Sequence, residues 1–290
     1  MSAIVKDVIV TKAREQEAPA CLALLPEIRS APVEFLIARK DSKFAGAVAL
    51  LWANAHEPAG FGVAVRVLEA ARRQGIGREL IEAAAGLADG ETDGLWSLQA
   101  TPLESPAAKF LEACGFVPRR TEHYFEVDPA ALLDEIEPIA RRYREHGRMP
   151  EGADVVFLAD AELPLEEIAW LLAREFNSNP ILNVHDLRRR REDAADRTVI
   201  ARVEGEIVGV LMCRDQNGIA VVDARVVAKR WRSGWPNLLM LEKALSRAQA
   251  EGLRPARFFS GDAVTETRNL ARRAGGKEIE LKARHYLAFD

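Results

Sequence analysis

Short β-branched runs alternate with helical stripes along this chain, and their order recurs. In the first half, residues 5–10 form a β-branched run, and residues 18–28 read as helix confined by Pro19 and Pro26. Residues 34–39 and 44–52 read as two strands around the polar turn Lys40-Asp41-Ser42-Lys43. A further strand covers Phe61–Val67, with Gly62 marking a bulge or a close backbone approach. Leu80, Ile81, Ala84, Ala85 and Ala88 share one face of a helix over residues 77–88. Then come a strand at 95–99, a helix at 107–113 stopped by Gly115, and a closing strand at 123–127. The second half repeats this order: strand 155–158, helix 165–176, hairpin strands 198–203 and 207–213, strand 220–227, helix 237–250, strand 257–260, helix 264–274 and closing strand 284–289. Strands followed by helix–strand–helix–strand predict an α/β fold, a mixed sheet with helices on both faces.

The repetition extends to landmarks. His123-Tyr124-Phe125 is echoed by His285-Tyr286-Leu287, and the helix ending at Gly115 by one ending at Gly275, 160 residues later. The basic stretch from Arg72 to Gly77 faces Arg230 to Asn237 at a similar offset. Nearly constant spacing of ordered landmarks indicates a duplicated domain. The expected boundaries are 1–128 and 153–290, joined by a charged helical linker at 129–152, with Pro138 interrupting it and Gly147 and Pro150 marking its exit.

Composition narrows the function classes. The 290 residues are 48% apolar and 29% charged, ordinary globular usage that argues against disorder. A net charge of −4 lacks the basic field of a non-specific nucleic-acid binder, so no nucleic-acid partner is expected. Cys21, Cys114 and Cys213 are odd in number and far apart, which fits a reducing compartment rather than a disulfide framework. The most apolar window, residues 44–55, is short of the ~20 residues a membrane span needs. No basic-then-apolar leader is visible, and the expectation is a cytoplasmic protein without membrane partners.

The chemistry concentrates at VLEAARRQGIGRELIEAA, from Val67 onward. A strand ends, a basic Gly-bearing turn follows, and a helix begins at once. Consecutive N–H groups in such a turn converge on one point, and the helix N-terminus adds partial positive charge. Gly75 and Gly77 carry no Cβ to hold a phosphate off the backbone, and Arg72, Arg73 and Arg78 add cationic charge. This reads as a diphosphate cradle; the alternative is a tight turn with solvated arginines. No Lys-Ser or Lys-Thr follows the second glycine, which excludes a Walker loop, and the three-glycine dinucleotide fingerprint fits poorly.

Val67 followed by Arg72-x-x-Gly75-x-Gly77 and an amphipathic helix resembles the acyl-CoA signature of the GNAT N-acetyltransferase superfamily. Phe110-Leu-Glu-Ala-Cys-Gly115-Phe116 is similar to its second hallmark. The resemblance covers most of residues 1–128 and implies tandem GNAT-like domains. It further implies a splayed sheet taking pantetheine along Phe61–Val67, the thioester near Val65, and the pyrophosphate on the amides of Arg73, Gln74, Gly75, Ile76, Gly77 and Arg78. The implied cosubstrate is acetyl-CoA and the implied acceptor a primary amine of a small molecule or peptide. Two departures stand out: Leu111 occupies a position where the family often has a tyrosine donor, and Phe61-Gly62-Val63 offers no glutamate base. The titratable groups left as catalytic candidates are Glu57 and Tyr124, with His56 beside them.

In the second half, Trp235 and Asn237 replace the two glycines and Pro236 removes a donor, so this copy reads as degenerate, with Trp235 crowding any phosphate. Its expected work is to shape or cover the acceptor site, or to make a homodimer. Asp223 is its candidate base, with pairing to Arg225 or Arg232 as the structural alternative. Arg188–Arg191 reads as a solvated helix end, Cys114 as a packed small side chain, and no His or Cys spacing suggests a metal. Two functions follow: an N-acetyltransferase, or an acyl-CoA-binding sensor or assembly module without turnover.

Overall fold

The computed structural model describes residues 8–28, 32–52, 58–175, 183–232, 234–262 and 264–289. It is a mixed α/β structure that divides into two compact units, each discontinuous in sequence. Among the described residues, one comprises those of Met1–Thr121 and Lys282–Asp290, the other those of Glu122–Asn177 and Ile181–Leu281.

The first unit begins with four antiparallel strands, β1 (Val8–Lys12), β2 (Glu34–Lys40), β3 (Lys43–Trp52) and β4 (Phe61–Val67). The short β5 (Gly94–Ser97) runs parallel to β4. Helix α1 (Ala18–Leu24) covers one face, where Cys21 and Leu25 pack on Ile37, Ala47 and Leu51. Helices α2 (Ile76–Ala88) and α3 (Pro106–Ala113) cover the other, with Leu80, Ile81, Ala84 and Leu111 against Val48, Phe61 and Leu95. The apolar stripe expected on α2 is the stripe that is buried. Ser105 caps α3, its side chain accepting from the Ala108 amide at 3.2 Å. Between β5 and α3 lies β6 (Thr101–Pro102), and β7 (Val117–Val127) follows α3.

The second unit repeats the plan. Strands β8 (Ala153–Phe157), β9 (Val199–Val203), β10 (Glu206–Gln216) and β11 (Ile219–Val227) are antiparallel, and β12 (Ala256–Gly261) is parallel to β11. Helices α5 (Leu165–Glu175) and α6 (Val184–Glu192) pack on one face through Ile168, Leu171 and Leu187. Helix α4 (Pro129–Glu145) and α7 (Trp235–Ala250) pack on the other, with α8 (Thr265–Arg273). Helix α4 runs through Pro138 rather than breaking there, and that residue lies on the helix's exposed side. The buried residues Leu132, Ile136 and Ala140 make α4 part of a core.

The closing strands depart from chain order. The Glu122–Val127 part of β7 pairs with β12 inside the second unit, from Gly261↔Glu122 to Ala256↔Val127. The first unit is closed by β13 (Lys277–Ala288), whose Tyr286 and Leu287 oppose Trp96 and Leu95 on β5 and whose Ala283 opposes Thr101 on β6. Both segments carry the same His-Tyr-apolar pattern, which specifies a half-buried strand and not its partner.

Candidate functional site

In the first unit, β4 and β5 pair only at Phe61↔Leu95, Gly62↔Trp96 and Val63↔Ser97. The Leu98 amide then donates to the Val63 carbonyl at 2.9 Å, and the strands part. Among the described residues, β4 from Ala64 to Val67 keeps its other pairing, to β3, but has none on this side. The parting follows from β5, which ends after four residues as the Ser97 hydroxyl donates to the Gln99 carbonyl at 3.0 Å. Val65 and Val67 thus stand on an open strand edge.

The turn after β4 carries the cradle. Arg73 and Gly75 both have left-handed backbone, φ 64° and φ 80°, and Gly75 caps α2. Arg78 and Glu79 donate to the Gly75 carbonyl. Among the described residues, the amides of Arg73, Gln74, Gly75, Ile76 and Gly77 donate to no backbone carbonyl, a run of free donors at a helix N-terminus. None of Arg72, Arg73 and Arg78 forms an ion pair among the described residues. Arg72 Nε donates to the Val67 carbonyl at 3.2 Å, and Arg78 reaches the Ala113 carbonyl at the end of α3 at 2.5 Å.

Gly77 also has a packing duty. A Cβ there would lie 2.9 Å from Cε2 of Phe110, so the missing side chain lets α3 pack against the start of α2. Sequence reasoning also missed Lys40, at the end of β2, whose ammonium donates to the Gln74 side chain and brings another cation to the turn.

A buried pair from β13 completes this unit's site. His285 is fully buried; its amide donates to the Ser97 hydroxyl at 2.9 Å, at the point where β4 and β5 separate. Its Nδ1 lies 3.1 Å from the Ala283 carbonyl and its Nε2 has no partner. Burial pushes the imidazole pKa below 6.5, against the opposing influence of the Ala283 bond and the Glu112 charge, so the ring is neutral at neutral pH. With Nδ1–H donating, Nε2 keeps its lone pair. Beside it, Tyr286 packs on Trp96 with ring centroids 4.8 Å apart and a 46° tilt, and both hold the chain at Pro58 and Ala59 by hydrogen bonds of 3.0 and 3.1 Å. The repeat with His123 pointed to His285 only as a landmark; its place beside Ser97 depends on the strand pairing.

Of the other candidates, His56 and Glu57 lie outside the described residues. Tyr124 belongs to the second unit, where its hydroxyl donates to Glu122 at 2.9 Å and its ring lies 5.6 Å from Phe259. Asp223 is paired, though with neither expected arginine: Arg214 Nε lies 3.1 Å away and Arg190 also bonds it. Arg190 also reaches Asp196 at 2.8 Å, so this arginine of the basic run turns inward rather than into solvent. Leu111 is buried in the core beneath α2 and α3. Cys114 is half-buried and its thiol pKa is pushed up by burial, which suits a packed side chain.

The corresponding turn of the second unit is built differently. Gly234 has extended backbone, φ −111° and ψ −168°, rather than left-handed. Trp235 does not crowd the turn; it is buried in the core, edge-on to Trp231 at 6.3 Å. Its indole adds more apolar contact there than it could at a solvated helix start. The Asn237 side chain donates to the Arg232 carbonyl at 2.5 Å, and Arg230 and Arg232 are paired with Glu206 and Glu175. The charge that is free in the first turn is neutralised in the second.

Residues 31–118 match the family model of the acetyltransferase (GNAT) domain. No curated protein matches the sequence. Solved structures match over nearly the whole chain. A tandem GNAT protein from the clavulanic acid biosynthesis pathway is 17% identical with TM-score 0.51, covering 97% of this chain and 98% of its own. A GCN5-related N-acetyltransferase from Sphaerobacter thermophilus is 18% identical with TM-score 0.52, covering 97% and 95%. A probable N-acyltransferase from Enterococcus faecalis V583 reaches TM-score 0.66 at 13% identity, covering 96% and 71%. At these identities the likeness is one of fold, a tandem GNAT-like architecture. No helix among the described residues is long and apolar enough to cross a membrane.

Proposed function

We propose that the chain is an N-acetyltransferase that moves an acetyl group from acetyl-CoA to a primary amine, with coenzyme A held by the first unit. The observation that carries this reading is the run of free amides from Arg73 to Gly77 flanked by arginines without a carboxylate. Such a turn is suited to a diphosphate and poorly explained by solvated side chains alone. The open edge of β4 offers backbone groups to pantetheine, as a further strand would.

The acceptor nitrogen attacks the thioester carbonyl, a C–N bond forms, the C–S bond breaks, the ammonium gives up a proton and the departing thiolate takes one. His285 Nε2, neutral and unpartnered, is the proposed proton carrier, in place of the side chain that Leu111 lacks. Positioning contributes most of the rest, since an oriented amine is a competent nucleophile. The reading without turnover, an acyl-CoA-binding module, is favoured by one observation, the apolar burial of Leu111.

Thermal denaturation with acetyl-CoA tests the binding claim. A ligand bound only by the native state raises the melting temperature, and Gly75→Trp abolishes the rise. A wild-type protein indifferent to millimolar acetyl-CoA overturns both readings. Thiol release with a panel of amines separates enzyme from binder, and His285→Gln lowers kcat with KM for acetyl-CoA little changed.

A further inference from the structure

The second unit contains a cavity that the acyl-transfer reading does not use. Its strands β11 and β12 pair only at Ala220↔Ala256 and Val221↔Arg257 before separating. The space that opens on the α7 and α8 side has a volume of about 240 Å³. That exceeds the roughly 150 Å³ apolar hole that admits a benzene ring. Its walls are apolar, from Leu211, Val222, Leu241, Leu245 and Phe258 among others.

One cation lines it. The register of β10 against β11 slips so that Met212 faces Ala224 and Cys213 faces Val222, leaving Asp223 as an extra residue. Val222 and Arg225 both line the cavity, whereas Asp223 is taken up by Arg190 and Arg214. Arg225 is half-buried, and its Nη2 donates to the Thr267 hydroxyl at 2.7 Å. Among the described residues it forms no ion pair, and burial with no facing carboxylate pulls its pKa down. A cation partly withdrawn from water without a counter-ion costs stability, and a bound anion would recover that loss.

We propose that this cavity is a binding site for a small apolar carboxylic acid, an aromatic or short aliphatic monocarboxylate, held by Arg225 and Thr267. The guanidinium fork presents paired donors, and the Thr267 hydroxyl, which accepts from Arg225, has its own proton left for the second carboxylate oxygen. One cation balances a monoanion and leaves a phosphate dianion undercompensated. Coenzyme A is not the fit, because the neighbouring turn has lost its left-handed glycine and its free charge. The apolar walls take the body of the acid, which adds affinity without adding polar requirements.

Calorimetric titration tests this with benzoate, phenylacetate and hexanoate against their neutral amides. At least one acid binds the full-length protein, and its amide binds at least about tenfold more weakly, the loss expected for a charge-assisted hydrogen bond. Arg225→Met weakens the acid to the level of its amide, and Thr267→Val weakens it in the same direction should Arg225→Met fail to fold. Gly75→Trp leaves acid binding unchanged, which places the site away from the coenzyme turn. Absence of binding by all three acids, equal binding of acid and amide, or full affinity in a folded Arg225→Met protein overturns the proposal. So does loss of acid binding in a folded Gly75→Trp.

Discussion

Gly77 faces the ring of Phe110 so closely that a Cβ on it would lie 2.9 Å from Cε2 and 3.0 Å from Cζ. The contact joins the first turn of α2 to α3, and so sets where the free amides of the cradle point. Gly77→Ala is expected to push the two helices apart, at a cost of about 1–3 kcal/mol typical of overpacking. Phe110→Leu in the same chain should return most of that loss. Urea denaturation of the two variants and their combination checks it; a Gly77→Ala protein as stable as wild type, with unchanged acetyl-CoA affinity, would show that the contact is soft.

The two left-handed residues of the turn make opposite predictions. Gly75, at φ 80°, has no Cβ to strain, so Gly75→Ala costs about 1 kcal/mol and distorts the donors. Arg73, at φ 64°, already bears that strain, so Arg73→Gly does not lower stability. It does remove a cation from the cradle. Melting temperature and acetyl-CoA affinity should therefore part company: both fall in Gly75→Ala, and only affinity falls in Arg73→Gly. A parallel fall in both variants would mean that Arg73 acts through the fold alone.

Local pattern carried much of this reading, and partner choice is where it stopped. The strand over Phe61–Val67 and the buried stripe of α2 follow from alternation and from a period near 3.6, which are properties of a few adjacent residues. The turn between them was legible because glycine and arginine types constrain the backbone and charge directly. The packing duty of Gly77 was hidden, since only the position of Phe110 reveals what a Cβ would strike. The exchange of closing strands was likewise hidden, because His123-Tyr124 and His285-Tyr286 are alike in pattern and register is a tertiary property. Trp235 reads as an obstacle in sequence and is a core residue in space.

Asp223 is expected to act as a structural anion. Arg190 and Arg214 both bond it, and Arg190 also reaches the buried Asp196, whose carboxylate receives the Thr198 amide at 2.9 Å and hydroxyl at 3.1 Å. Asp223→Ala leaves Arg190 with one carboxylate. The expected loss is about 1–2 kcal/mol, less than for a fully buried pair, because Asp223 keeps 25% of its side chain exposed. Added salt should shrink the difference between wild type and variant. Equal urea midpoints at low ionic strength would show that the network contributes nothing net.

His285 makes the stability of the first unit depend on pH. Burial holds its folded-state pKa below the ordinary 6.5. Between those two values the unfolded chain binds a proton that the folded chain refuses, so stability rises with pH across that window. It is fully present above 6.5 and is lost as pH falls toward the folded value. The slope from this one group is at most about 1.4 kcal/mol per pH unit. Denaturation at a series of mildly acidic pH values should show a steeper loss in wild type than in His285→Gln, whose side chain does not titrate. Identical slopes would mean that the imidazole accepts a proton within the fold. In that case the neutral Nε2 proposed to carry a proton during acyl transfer would not be neutral in that pH range.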